Sequence, residues 1–505
     1  MTINDMFDPE QFRHSGHALI DLLAEHLATN IEGTGKVMDW QAPEIAERQW
    51  QQALPQRPTL TPDNFLNKLR DDILPAGLAV HHPRNMGHQV AMPLPMAALC
   101  DLVAALTNQA MAVYEAGPAA TLIERQVIQW LAELIGWQGA EGVLTSGGAQ
   151  ANLTALLAAR QVKAGPDVWK NGVASGTPLK ILASEHAHYS VSRAAGIMGL
   201  GTEAVIKVAS DDAGRMNVNA LIAAHQQAVE NGDYIIAVVA TAGCTPTGSI
   251  DPLEPIGAYC NAQNLWLHVD GAHGASMLLS SQHRDKLRGI ELADSVVWDG
   301  HKLLYMPAPV SAVLFKNPAH SFAAFAQEAS YLFQGESAQD ETYNTSYRTL
   351  ECTKRMMGLK LWAAFSLYGK DGLGALVDKV FATARLLAEK LSAADDFELL
   401  MKPETNIVCF RYQSGNQSEL RKKLVESGAF HLTQVNLHGQ IWLRTTVMNP
   451  FTTENDFDAL IHQIRKNQSN KKLQELILDG LDSPSSNTWN ELKAELQTPH
   501  PKQPR

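Results

Sequence analysis

The chain has 505 residues, 45% of them hydrophobic, which is more than one core normally holds, so one large domain with smaller appendages is expected. Its 41 basic residues against 53 acidic ones leave a net charge of −12, which opposes binding to nucleic acid, and no apolar run reaches the length that spans a bilayer. The five cysteines are far apart and lack ligand spacing, so they indicate neither a disulfide framework nor a zinc site; with the acidic start MTINDMFDPEQ they lead to the expectation of a cytoplasmic protein without a metal.

In chain order, Phe12 to Leu27 places Leu19, Ile20, Leu22, Leu23 and Leu27 at helical spacing. The proline-containing stretch that follows offers this apolar face little to bury against, so another part of the molecule or a second subunit is the expected cover. Residues 81–97, HHPRNMGHQVAMPLPMA, read as an ordered loop that carries Arg84 and Gln89 as candidate substrate contacts. Helical sequence returns from Met96 to Thr107 and again around Leu122 to Leu131. From Gly142 to Leu153 the pattern is strand, glycine turn, then helix, and Gly147, Gly148 and Ala149 fall where free backbone N–H groups can approach an anion. A short strand at Lys180–Ala183 leads into SEHAHYS, where His188 is a flat ring able to lie on a cofactor. Tyr234–Ala240 is a nearly continuous apolar run, the mark of a buried parallel strand, and ends in TAGCTPTGS with Thr245.

Two later strand ends define a chemistry. Leu265–Val269 stops at Asp270-Gly271-Ala272, and Asp294–Trp298 stops at Asp299-Gly300-His301-Lys302. Parallel strands ending side by side would aim Asp270 and Lys302 at one crevice. A lysine that forms a Schiff base and a carboxylate that holds a pyridine nitrogen protonated are what pyridoxal phosphate requires. With the run Val310–Phe315, the series alternates with helices and predicts a mostly parallel α/β sheet. Residues 330–355 read as a polar loop that can close over a site. Helix returns at Met356–Tyr368. After Gly374 a second α/β lobe is expected: a helix to about Leu391, strands near 407–410 and 440–444, and a helix from Thr453. Partial disorder is expected beyond Asn467.

Together these stations resemble the group II pyridoxal-phosphate-dependent amino-acid decarboxylases from about Phe12 to about Ile464. The motifs that carry the likeness are HVDGAHG at 268–274 and WDGHK at 298–302, supported by TSGGAQANL at 145–153, EHAHYS at 185–190, GCTPTGSID at 243–251 and HPRNMGH at 82–88. The resemblance implies fold type I, pyridoxal 5'-phosphate as cofactor and a homodimer. It implies Lys302 as the Schiff-base lysine, Asp270 as partner of the pyridine nitrogen, His188 stacked on the ring and Ala272 against its other face. Gly147, Gly148 and Ala149 would cradle the phosphate, with Thr245, Asp299 and His301 nearby. Tyr331 would protonate the substrate carbon, and Arg444 would meet a substrate carboxylate. Gly300 departs from several members, which have proline or alanine there, and Asp299 stands where the animal enzymes have asparagine.

The implied reaction turns an L-amino acid into the primary amine and CO2. HPR at 82–84 and YLFQ at 331–334 are nearer to the glutamate and cysteine sulfinate branch, and Arg84 can pair with a side-chain carboxylate, so a small acidic substrate such as glutamate, aspartate or cysteine sulfinate is favoured. A 2,4-diaminobutyrate or aromatic decarboxylase and a decarboxylating aldehyde synthase are the alternatives. The expected organisation is an N-terminal helical segment at 1–80, a large cofactor-binding domain at 81–370, a small domain at 371–466 and a tail at 467–505.

Overall fold

The apolar runs become seven strands of one sheet: β1 (Glu141–Thr145), β2 (Leu179–Ser184), β3 (Val205–Val208), β4 (Tyr234–Thr241), β5 (Leu267–Asp270), β6 (Ser295–Asp299) and β7 (Ser311–Phe315). The computed structural model describes residues 2–165, 167–173, 176–325 and 340–482. Strand order is β1-β7-β6-β5-β4-β2-β3. The pairs β3·β2, β2·β4, β4·β5 and β5·β6 are parallel, whereas β7 is antiparallel to both β6 and β1. The reversal has a simple cause: the short connection 300–310 contains no crossover helix, so the chain can only turn back. β3 escaped the sequence pattern because VIKV is short and sits at the edge.

This topology brings the functional candidates together. β1, β2, β4, β5 and β6 share one direction, so Thr145, Ser184, Thr241, Asp270 and Asp299 all finish on one edge. β7 starts at that edge, with Ser311 in register with both Asp299 and Thr145. The helix Gly148–Ala164 leaves β1 and crosses one face. Its small residues Ala151, Ala155, Ala158 and Ala159 let it lie close against Val143, Ile181, Val239 and Val297. On the other face Val127, Ile128 and Leu131 of the helix Pro118–Ile135 pack with Leu361, Val377 and Phe381. Strands covered on both faces are what continuous apolar runs encode.

The helix expected in two pieces after Met356 is two pieces: the stretch Gly358–Ser392 is interrupted at Gly369, whose backbone is not helical (φ 65°, ψ 173°). Its first part packs on the large sheet, and Ala384, Leu387 and Leu391 enter the core of a second sheet. That sheet is antiparallel, in the order β10-β11-β9-β8, from β8 (Phe397–Leu399), β9 (Ile407–Tyr412), β10 (Thr433–Leu437) and β11 (Gln440–Thr446). Met86 packs in this second core, and its backbone N–H is bonded to the His431 carbonyl (2.8 Å), so the 81–97 loop is anchored there. The last helix, Glu454–Asp482, continues past Asn467, where a boundary and partial disorder were expected; of that tail, residues 483–505 lie outside the described residues.

At the other end, the helix Pro9–Glu32 is capped by Asp8 and closed by Gly33 in the left-handed region, yet buries none of its side chains. Phe7, Phe12, Trp50 and Leu54 are also exposed. No helix among the described residues is long and apolar enough to cross a membrane.

Residues 330–355, read as one closing loop, need a correction over their second half; the first part lies outside the described residues. Arg348 and Lys354 are buried. Arg348 Nη1 is 2.8 Å from Glu141 Oε2, while Lys354 pairs with Glu124 and donates to the Leu144 carbonyl (3.0 Å). The charges of Arg348 and Lys354, part of what read as a polar closing loop, are held in buried pairs. Lys354→Met should therefore destabilise the protein by about 3–5 kcal/mol in denaturant unfolding, because Glu124 would stay buried without its cation.

Candidate active site

At the carboxyl edge of the large sheet a cavity of about 260 Å³ is enclosed by the strand ends and the start of the helix Gly148–Ala164. Lys302 follows β6 by one turn, and its Nζ lies 3.0 Å from Asp299 Oδ2. Asp299 is buried, also accepts the Ser311 hydroxyl, and has His301 Nε2 at 3.6 Å. One strand over, Asp270 accepts the Ala272 N–H (3.2 Å) and the Asn152 amide (3.0 Å). His188 Nδ1 is 2.8 Å from Ser190 Oγ, and burial lowers its pKa against the opposing pull of Asp270. His273 is pushed down to about 3, chiefly by burial, so it stands neutral beside the cavity.

The glycine turn has the shape an anion needs. Gly147 has φ 135° and ψ 161°, a conformation open to glycine and strained for any L side chain. At Gly148 a Cβ would come within 2.9 and 3.0 Å of the two Asp299 carboxylate oxygens. The first amides of a helix have no intrahelical partner, and they sit here at the positive end of its dipole. An amine, a carboxylate, a flat imidazole and this amide cradle meet around one cavity, which is the donor set that pyridoxal phosphate needs.

Of the residues expected here, Gly147, Gly148, Ala149, His188, Thr245, Asp270, Ala272, Asp299, His301 and Lys302 all line the cavity. Arg84 does not: its Nε is bonded to Asp456 (3.0 Å) and its guanidinium lies over Phe430, so its charge is already matched. The expected contact for a substrate carboxylate is thus engaged within the chain itself. Gln89 and Arg444 are not in the cavity lining either. Gln89 is buried with Nε2 unpartnered. Arg444 donates to the carbonyls of Pro246 (3.2 Å) and Gly87 (3.3 Å), and its Nη2 has no partner. Tyr331 lies outside the described residues.

Sequence reasoning missed Asn152, Tyr189, Thr241, Gly243 and His273 in the lining. Asn152 had a usable signal, since it falls four residues after Gly148 and so shares its helix face.

Comparison with known proteins agrees with this geometry. A family model described as the pyridoxal-dependent decarboxylase conserved domain matches residues 43–413. The acidic amino acid decarboxylase GADL1 of Mus musculus is 31% identical over 449 residues, covering 85% of this chain and 81% of that protein. The L-2,4-diaminobutyrate decarboxylase of Rhizobium meliloti is 35% identical over 401 residues, covering 76% and 78%. The crystal structure of mouse CSAD superposes with a TM-score of 0.84 at 29% identity, over 90% of this chain and 98% of that one. With the α/β sheet, the edge cavity and a family match over more than half its length, the chain belongs to the pyridoxal-dependent decarboxylases, enzymes of fold type I whose cofactor is pyridoxal phosphate.

Proposed function

We propose that this enzyme decarboxylates a small acidic L-amino acid to the primary amine and CO2, as a cytoplasmic homodimer. The observation that carries the reaction is the convergence of Lys302, Asp270 and His188 on one cavity beside the start of the helix Gly148–Ala164. In this reading Lys302 provides the amine that joins the cofactor aldehyde, and Asp270 accepts the hydrogen of the ring nitrogen. His188 and Ala272 offer the flat and the small surface for the ring. Gly147, Gly148 and Ala149 hold the phosphate, with Thr245 and His301 at the cavity wall. Asp299 is assigned to Lys302 and Ser311 rather than to phosphate, since a carboxylate has no hydrogen to give a phosphate oxygen. The chemistry that the cofactor supplies when bound is an electron-accepting ring for the pair left as CO2 departs.

The acidic substrate is supported by the name of the relative that acts on acidic amino acids and by Arg444. A buried guanidinium nitrogen without a partner, beside the Thr245–Pro246 turn, is a place for an anionic group. Arg444→Gln should raise KM roughly 10- to 100-fold with a smaller change in kcat, in steady-state assays, as befits loss of a charge-assisted hydrogen bond. A second reading, 2,4-diaminobutyrate, is favoured by the relative 35% identical that acts on it. The deciding experiment is CO2 release from aspartate, glutamate, cysteine sulfinate, 2,4-diaminobutyrate and the aromatic amino acids, with products assigned as amine or aldehyde. Turnover of diaminobutyrate alone would overturn the acidic reading, and aldehyde in place of amine would overturn the reaction.

The homodimer is supported by the apolar side chains of the N-terminal segment that stay exposed among the described residues: Phe7, Phe12, Trp50 and Leu54. The same proposal divides the chain near residues 80 and 370, with the last helix carrying the small domain on past residue 466.

A further inference from the structure

We infer that Asn152 is a positioning residue that joins the two groups facing the cofactor, Asp270 and His188, through one buried hydrogen-bond chain of fixed direction. The inference rests on the cavity being the pyridoxal phosphate site.

The atoms permit a single assignment. The Asp270 carboxylate only accepts, so the Asn152 atom facing its Oδ2 at 3.0 Å is the amide nitrogen. Asn152 Oδ1 then faces His268 Nε2 at 2.9 Å, and that ring nitrogen must carry the hydrogen. Burial keeps the His268 imidazole neutral, with its pKa lowered, so Nδ1 is bare and accepts the hydroxyl of Ser295 at 2.8 Å. Ser295 Oγ in turn accepts the indole N–H of Trp266 (3.0 Å), a group that can only donate. The chain thus has a donor-only end and an acceptor-only end, and no member can be reversed. His268 and Asp270 are two residues apart on β5, so both point to the face on which the helix Gly148–Ala164 lies.

Asn152 also opens a branch. The second hydrogen of its amide goes to Ser190 Oγ (2.9 Å), which leaves the Ser190 hydroxyl to donate to His188 Nδ1 (2.8 Å). The Ser190 backbone N–H points to the same nitrogen (3.3 Å), so the His188 hydrogen is on Nε2. One amide therefore orients the carboxylate assigned to the ring nitrogen and sets the tautomer of the stacking histidine. Asp270 and Asn152 both line the cavity, while His268, Ser295 and Trp266 are fully buried behind them.

The test is nitrogen NMR on the holoenzyme, with 15N in the cofactor ring and in histidine. Wild-type protein should show a protonated ring nitrogen and His188 as the Nε2–H tautomer. In Asn152→Ala the ring nitrogen should lose its proton at a pH lower by about one unit. The His188 tautomers should mix, and the cofactor dissociation constant should rise roughly tenfold for loss of a hydrogen bond to a charged group. His268→Gln puts an amide N–H near the position of Nε2 and should keep the wild-type spectrum, whereas His268→Leu should resemble Asn152→Ala. If Asn152→Ala does not fold, the two His268 variants decide. A protonated wild-type ring with unchanged ring and His188 signals in Asn152→Ala and His268→Leu would overturn the inference and leave the cofactor reading standing. A wild-type protein that binds no labelled cofactor would overturn both.

Discussion

Lys302→Ala should lose decarboxylation by at least about 10³-fold while the protein keeps its fold, because the lost amine is the covalent attachment point and no other group substitutes for a catalytic nucleophile. The structure explains why folding should survive. Lys302 Nζ pairs with Asp299, but Asp299 retains the Ser311 hydroxyl and the neighbouring His301, so its carboxylate is not abandoned in the interior. The measurement is CO2 release by purified protein, paired with borohydride reduction and mass spectrometry of the peptide that contains residue 302. Wild-type protein should carry the reduced cofactor on that peptide and the variant should not. Near-normal turnover by the variant would sink the assignment of the whole cavity, since its other groups have meaning only around an amine at this place.

The cavity lining was legible because it follows from strand direction. Once the apolar runs of β5 and β6 are read as parallel, Asp270 and Asp299 must end together, and Lys302 follows one turn later. What stayed hidden depends on partners far along the chain. Arg84 looked free for a substrate because its partner Asp456 is 372 residues away. Residues 330–355 read as a polar loop able to close over a site because Glu141 and Glu124, which neutralise Arg348 and Lys354, are 207 and 230 residues away. His268 looked like one polar residue in an apolar strand, and Asn152 like one in an alanine-rich helix. Only their meeting, 116 residues apart in sequence, turns two unremarkable side chains into a directed chain. Local pattern specifies which elements form and which way they run. It carries little information on which buried charge meets which.

Asp270→Asn should lower kcat on the order of 10²–10³-fold, the cost of removing one preorganised electrostatic partner from a water-poor site. Two effects act together. The substitution removes the negative charge that stabilises a protonated ring nitrogen, so the electron demand on the substrate carbon falls. It also breaks the local hydrogen bonding whichever way the new amide turns. Asp270 accepts two hydrogens, from Asn152 and from the Ala272 backbone, and an asparagine in its place must aim its NH2 at one of these donors. One contact is therefore lost, and the chain of hydrogen bonds that reaches His268 and Ser190 is disturbed at its acceptor end. Because the side chain keeps its shape, far-UV circular dichroism should be unchanged and the cofactor should still attach at Lys302, which separates this variant from Lys302→Ala. Steady-state kinetics at saturating cofactor make the measurement. A kcat within about threefold of wild type would show that the charge of Asp270 is not needed for the electron-accepting role, and the chemistry would then have to be sought in the other groups of the cavity.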